Sequence, residues 1–221
     1  MLREAESILC YVTDRRALGG RGIGELLALI RRAVAAGIHW VQIREKDLPA
    51  RELLALAREA VAAAQGSAIR ILVNDRLDVA LAAGATGVHL GGHSLPVAEV
   101  AAWRRATESK ARVPAGFLIG ASCHSQEAAL EAERTGADYI FFGPVFATPS
   151  KAAFGPPQGI AKLTEVCRSV GIPVIAIGGV AVENAAECYT AGAAGIAAIR
   201  LFQQAPELAS IVARLRNPMR A

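Results

Sequence analysis

Three polar side chains stand at every second position in the stretch Gln42-Ile43-Arg44-Glu45-Lys46. On an extended backbone alternate residues share a side, so an amide, a guanidinium and an ammonium face one way while Val41 and Ile43 face the other. Arg supplies a planar fork and Lys a compact charge, a receptor for an anion next to a hydrogen-bonding ring. The competing use of these charges is an ion-pair rim, with Arg44 and Lys46 against Glu45 and Asp47. Asn74-Asp75 closes another apolar run. A carboxylate there can hold Mg²⁺ together with the oxygens of a diphosphate, because this cation takes one or two carboxylates plus substrate oxygens. The same pair is equally suited to capping a helix over Leu77–Ala83. Gly178-Gly179, between the run Pro-Val-Ile-Ala-Ile and a helix expected to start near 182–183, offers backbone N–H groups and room for a phosphate. His124 is placed either to move a proton near neutral pH or to make a structural hydrogen bond. Alternation points Cys123 away from Ser122 and His124, which argues against a thiol nucleophile. His39, His89 and His93 read as structural.

These residues need elements to position them. Apolar, β-branched runs are expected as strands at 8–13, 39–44, 69–74, 87–90, 117–122, 139–143, 173–177 and 195–199, each bounded by Gly, Pro or Asx and each followed by a helical pattern. The second helix, 49–65, is the clearest: Pro49 suits its first turn, and Leu53, Leu54, Leu56, Ala57, Ala60 and Val61 form one stripe. Strands apolar nearly throughout are covered on both faces. Eight such units of about 27 residues predict a (β/α)8 TIM barrel. A doubly wound sheet is the main competitor. The chain, 1–221, reads as a single domain, with a long Pro/Gly/Ala-rich connection over 144–158. In a barrel, chemistry sits at the C-terminal strand ends. Polar residues stand at those ends: Thr13-Asp14, the Gln42/Arg44/Lys46 set, Asn74-Asp75, His89, Ser122 and His124, Thr148, Ser150 and Lys151, Gly178-Gly179, and Arg200 after Ile199.

Composition removes several classes. The 221 residues are 53% hydrophobic and 20% charged, too apolar for a disordered chain. The longest stretch without an acid or a Lys/Arg, 79–98, is interrupted by glycines, a proline and two histidines and does not read as a membrane span. Residues 1–6 lack a signal-peptide core. Four cysteines without metal or CxxC spacing suggest buried reduced thiols and a cytoplasmic protein. The net charge of +4 is dispersed, which disfavours nucleic acid and suits phosphorylated small molecules.

In order along the chain, these residues resemble the thiamine phosphate synthase/TenI family from about residue 8 to 204. Val41-Gln42-Ile43-Arg44-Glu45-Lys46 resembles its Q-x-R-x-K strand, Val73-Asn74-Asp75 its N-D pair, and Gly87-Val88-His89-Leu90-Gly91 its fourth strand. Gly120-Ala121-Ser122-Cys123-His124 is similar to its G-x-S-x-H segment. Gly143-Pro144-Val145-Phe146 through Thr148-Pro149-Ser150-Lys151 is similar to its sixth loop, and Ile175-Ala176-Ile177-Gly178-Gly179-Val180 to its seventh strand. The resemblance implies a Mg²⁺-assisted transferase, condensing 4-amino-2-methyl-5-pyrimidinylmethyl diphosphate with a thiazole phosphate to give thiamine phosphate and diphosphate. It implies that Gln42 holds the pyrimidine, while Arg44, Lys46, Asn74, Ser122 and Lys151 hold the diphosphate. Asp75 would ligate Mg²⁺. Thr148, Ser150, the Gly178 and Gly179 amides, Ile199 and Arg200 would line the thiazole phosphate. Lys151, Arg44, Lys46 and Ser122 would then act on the departing diphosphate, and His124 on protons. A homodimer is compatible.

Three positions depart from the family pattern. Gly91-Gly92-His93-Ser94-Leu95-Pro96 lacks the acid expected after the fourth strand, so Mg²⁺ has one protein carboxylate instead of two. Ala147 replaces a frequent Pro, and Arg200 a Ser. The TenI-like alternative is a thiazole tautomerase using His124 as acid/base beside the phosphate site. A non-catalytic thiamine-precursor binding protein is a third possibility, and a sugar-phosphate epimerase or isomerase barrel a weaker fourth.

Overall fold

The computed structural model describes residues 7–19, 22–108, 113–148 and 156–216. Eight parallel strands close into a barrel in chain order: β1 (Ile8–Val12), β2 (Trp40–Ile43), β3 (Arg70–Asn74), β4 (Gly87–Leu90), β5 (Leu118–Cys123), β6 (Tyr139–Phe142), β7 (Val174–Ile177) and β8 (Gly195–Ala198). Closure is made by β8 on β1, from Ile8 opposite Gly195 to Tyr11 opposite Ala198. The strand order never reverses, so the doubly wound alternative is excluded. Around the barrel lie α1 (Gly22–Ala35), α2 (Ala50–Ala64), α3 (Leu77–Ala83), α4 (Val97–Glu108), α5 (Gln126–Thr135), α6 (Gly159–Ser169), α7 (Ala185–Thr190), α8 (Arg200–Gln203) and α9 (Leu208–Arg216). No helix among the described residues is long and apolar enough to cross a membrane.

Strand alternation sorts the side chains into two apolar layers. Leu9, Val41, Ile43, Ile71, Val73, Val88, Ile119, Cys123, Ile140, Phe142 and Ile196 point outward and pack under the helices, joined by Leu53, Leu56, Ala57 and Ala60 of α2. Cys10, Val12, Trp40, Leu72, Tyr139, Phe141, Ile175 and Ala197 fill the barrel interior. Burying one such large side chain stabilises by about 1.5–3 kcal/mol. Two faces under cover explain why the strands are apolar nearly throughout. Pro49 sits at the cap position just before α2. The expected stripe on α2 is mostly buried, with Leu54 and Val61 at its half-exposed edges.

Inside the barrel the Tyr139 ring crosses the position a side chain at residue 120 would need. A Cβ on Gly120 would lie 2.0 Å from Tyr139 Cζ. The missing side chain lets the ring stack edge-on against Trp40, at 4.7 Å between centroids and 64°. This places the Tyr139 hydroxyl under the mouth, where it reaches His89.

Candidate functional site

The mouth at the C-terminal strand ends is built first by a loop-to-loop clamp. Beyond β1, Thr13 is fully buried and its hydroxyl donates to Glu45 Oε1 at 2.6 Å. The Arg15 amide donates to Glu45 Oε2 at 3.1 Å, and the Arg44 amide to Thr13 Oγ1 at 2.9 Å. Asp47 takes the Arg15 guanidinium through two bonds of 3.0 and 2.6 Å, with Arg16 3.1 Å away. The hydrogen bond from Arg15 is the first cause holding the Asp47 carboxyl below its ordinary range. Burial instead raises that of Glu45, opposed by its bonds from Thr13 and the Arg15 amide. Two expectations are corrected here. Thr13-Asp14 is scaffold: Thr13 anchors Glu45, and Asp14 caps a 3-10 turn over Arg15–Leu18. In the ion-pair rim Glu45 and Asp47 meet Arg15 and Arg16, and Arg44 pairs with no carboxylate among the described residues.

β2 ends at Ile43, so alternation does not carry as far as Lys46. Gln42 is buried inside the barrel, Arg44 half-buried at the rim and Lys46 exposed. Gln42 Nε2 donates to Asn74 Oδ1 at 3.2 Å, one layer below the mouth. Asp75 follows with φ of 67°, in the left-handed region that an L side chain rarely adopts. The helix-cap alternative for Asn74-Asp75 is also corrected. The cap position of α3 is Arg76, which makes no side-chain cap bond and pairs instead with Asp78. Asn74 turns inward to Gln42, and the Asp75 carboxylate accepts no hydrogen bond among the described residues.

After β4, the Gly91 amide donates to Ser94 Oγ at 2.8 Å and the Ser94 amide to Gly91 O at 3.0 Å, so this hydroxyl closes its own turn. His93 and Leu95 line a groove of about 580 Å³ with Asp75, Asp78, Leu81 and Trp103, on the outer side of the mouth. No group of three or more His, Cys, Asp or Glu able to hold a metal occurs among the described residues. This donor set fits a cation carried in on a diphosphate and completed by Asp75, and does not fit a metal held by the protein alone.

From β5, Ser122 meets His89 Nε2 at 2.9 Å, and His89 Nδ1 meets the Tyr139 hydroxyl at 3.1 Å. Burial, with Arg44 nearby, pushes the His89 pKa down to about 3, so the ring is neutral. The exposed His124 contacts the Gly143 carbonyl through Nδ1. A carbonyl only accepts, so Nδ1 carries the proton and Nε2 is the basic nitrogen. Ser125 caps α5 immediately afterwards, which anchors this corner. Cys123 is buried on the helix side, its thiol pushed up to about 12 by burial. Cys10 and Cys188 are buried too, while Cys167 is only half-buried, against the expectation for all four.

The long connection leaves and rejoins the barrel at one place: the Gln158 amide donates to Pro144 O at 2.7 Å and Gly159 to Val145 O at 3.0 Å. Thr148 is half-buried; Ser150 and Lys151 lie outside the described residues. Gly178 and Gly179 have φ of 94° and 67°. A Cβ on Gly178 would sit 2.5 Å from Pro144 Cβ, and one on Gly179 2.5 Å from Ala147 O. Close packing of the β6 loop therefore demands both glycines, in addition to any ligand. Their amides find no acceptor among the described residues. Asn184 fixes the turn, accepting from the Ala181 amide at 2.8 Å and donating to Gly179 O at 3.1 Å. That clamp delays α7 to Ala185, rather than the expected 182–183. Ile199 is half-buried above the inner layer and Arg200 exposed at the start of α8.

The structure thus gathers Gln42, Arg44, Asn74, Asp75 and Ser122 at the ends of β2, β3 and β5, with Gly178-Gly179 just after β7 and Ile199-Arg200 beyond β8. His89, read from the sequence as structural, is so placed between Tyr139 and Ser122, whereas the sequence did not reveal Glu45, Tyr139 or Asn184 as supports. An Asx residue shortly after a Gly-Gly turn, and a Gly two positions before Ser122, are the only signals that pointed to them.

Among the described residues, the mouth of this (β/α)8 barrel presents backbone amides with no acceptor, a guanidinium with no carboxylate and an inward amide pair, a donor set suited to an anion. The thiamine monophosphate synthase family pattern matches residues 9–202. A thiamine-phosphate synthase of Methanoculleus marisnigri is 41% identical over 213 residues, 96% of this chain and 95% of that one. One from Roseiflexus castenholzii is 40% identical over 200 residues, 90% of this chain and 82% of the relative. The solved thiamine phosphate pyrophosphorylase from Pyrococcus furiosus superposes with a TM-score of 0.79 at 34% identity, covering 96% of this chain and 95% of its own. The chain belongs to the thiamine monophosphate synthase (TMP-TENI) family.

Proposed function

We propose that this transferase joins 4-amino-2-methyl-5-pyrimidinylmethyl diphosphate to a thiazole phosphate, carboxylated or not, giving thiamine phosphate and diphosphate. One observation carries the reading. The Gln42-to-Asn74 bond leaves Gln42 Oε1 to accept from the pyrimidine amine, and Asn74 Nδ2 to donate to the diphosphate, in one layer just below the mouth. Arg44, held at the rim by the Glu45 clamp, would add a charge-assisted fork to the same anion, joined by Lys46 and Ser122 and, as the family resemblance implies, by Lys151. The C–O bond to the diphosphate breaks first with its electron pair on oxygen, and the thiazole nitrogen then bonds to the resonance-stabilised pyrimidine cation. Preorganised donors and cations at the departing oxygen are what such a step requires. Asp75 would hold Mg²⁺, which supplies charge neutralisation of the diphosphate. The Gly178 and Gly179 amides, with Thr148, Ser150, Ile199 and Arg200, would receive the thiazole phosphate. A cytoplasmic address suits four thiols that are all unbridged.

The test is formation of thiamine phosphate from the two substrates with and without Mg²⁺, read by fluorescence after oxidation. Metal-dependent product is expected. A second reading, thiazole tautomerisation, draws on the His124 contact to Gly143, which leaves Nε2 as a base. Proton exchange on a thiazole phosphate carboxylate that disappears in His124→Ala, with no coupling in the native enzyme, would replace the synthase with the tautomerase. Binding of both precursors without either reaction would make the chain a binding protein.

A further inference from the structure

We infer that Tyr139, His89 and Ser122 form a hydrogen-bond relay of fixed direction, phenol to imidazole to hydroxyl, which turns the Ser122 O–H outward as a donor to the anion at the mouth. His89 and Tyr139 are therefore positioning residues acting through Ser122. That the anion is the leaving diphosphate rests on the function proposed above; the direction of the relay does not.

The direction follows from counting protons. The three groups are in line, 3.1 Å from the Tyr139 hydroxyl to Nδ1 and 2.9 Å from Nε2 to Ser122 Oγ. His89 and Tyr139 are each 1% exposed, so neither meets bulk water. Burial keeps the imidazole neutral and the phenol protonated, so the ring carries one N–H and the phenol keeps its O–H. If Nδ1 held the proton, the phenol oxygen would accept it. The phenol hydrogen would then be orphaned, because the imidazole is its one hydrogen-bond partner among the described residues. Ser122 would also have to donate to Nε2, turning its lone pairs toward the anion. With the proton on Nε2, the phenol donates to Nδ1, Nε2 donates to Ser122 Oγ, and the serine hydrogen is free to point at the ligand. Only this order pairs every buried donor. Gly120 makes it possible, since any Cβ there would displace the Tyr139 ring. Trp40 and Phe141 hold that ring and the imidazole in place, with His89 and Phe141 centroids 4.2 Å apart.

Long-range ¹H–¹⁵N correlation spectra of the full native chain, with His89 assigned by comparison with His89→Gln, read the tautomer directly. The proton is expected on Nε2 across the neutral range, with Nδ1 as an unprotonated acceptor. A proton on Nδ1, or an even mixture of tautomers, overturns the relay. Kinetics give the second arm. Removing one preorganised donor costs on the order of 10²-fold in turnover, so Ser122→Ala is expected to lose about that much, and Tyr139→Phe about tenfold with KM little changed. In the Ser122→Ala background Tyr139→Phe is expected to cost nothing further, because the phenol acts through that hydroxyl. Independent, multiplying losses overturn the relay. A chain that makes no thiamine phosphate yet keeps its proton on Nε2 refutes the proposed reaction and leaves the relay standing.

Discussion

Glu45→Ala removes the acceptor on which two loops converge. The carboxylate is almost wholly buried, and it takes the Thr13 hydroxyl at 2.6 Å and the Arg15 amide at 3.1 and 3.2 Å. Truncation leaves both donors without a partner, at about 1–3 kcal/mol each. Relief of burying a charge offsets part of that cost, so the expected net loss is about 3 kcal/mol. For a domain of this size about 1 kcal/mol moves Tm by about 2–4 °C, which predicts a fall of about 6–12 °C by calorimetry. Glu45→Gln keeps one acceptor oxygen and is expected to lose less than half as much. The raised pKa adds a sign to the pH dependence. Its stabilising contribution is complete below the unfolded value near 4.5 and is lost as pH rises through the folded value, so Glu45→Gln gains on the native chain over that window. Because Arg44 and Lys46 flank the clamp, Glu45→Ala is also expected to raise KM for the pyrimidine diphosphate. A Glu45→Ala chain within about 0.5 kcal/mol of the native stability would refute the clamp, since ordinary surface substitutions stay in that range.

Two further perturbations separate site from scaffold. Asp75→Asn keeps a residue type that tolerates the left-handed backbone, so Tm is expected to hold while Mg²⁺ binding, titrated calorimetrically in the presence of diphosphate, weakens; unchanged affinity would take Asp75 off the metal. Gly179→Ala meets both a positive φ and the Ala147 carbonyl at 2.5 Å, predicting a loss of about 2–4 kcal/mol in urea unfolding, and an undiminished midpoint would show that the β6 loop does not pack there.

Eight apolar runs, each followed by a helical pattern, are enough to specify the barrel, because they leave few other ways to cover both faces of every strand. Strand ends were legible to within one or two residues for the same reason. Alternation also sorted Val41 and Ile43 from Gln42, and Cys123 from Ser122. It ran out where the ladder stops. Past Ile43 the backbone turns under the Thr13–Glu45 bond, and a period of two no longer says where Lys46 points. Which polar groups at the strand ends are scaffold depends on contacts made across the closed barrel. Thr13 and Glu45 lie 32 positions apart and His89 and Tyr139 50 apart, so their partners are set by barrel closure and register and not by any local pattern. The glycines of β7 show the same division. Their type marked a tight turn, but the neighbours that forbid a Cβ come from the loop after β6, which meets them only once the barrel is closed.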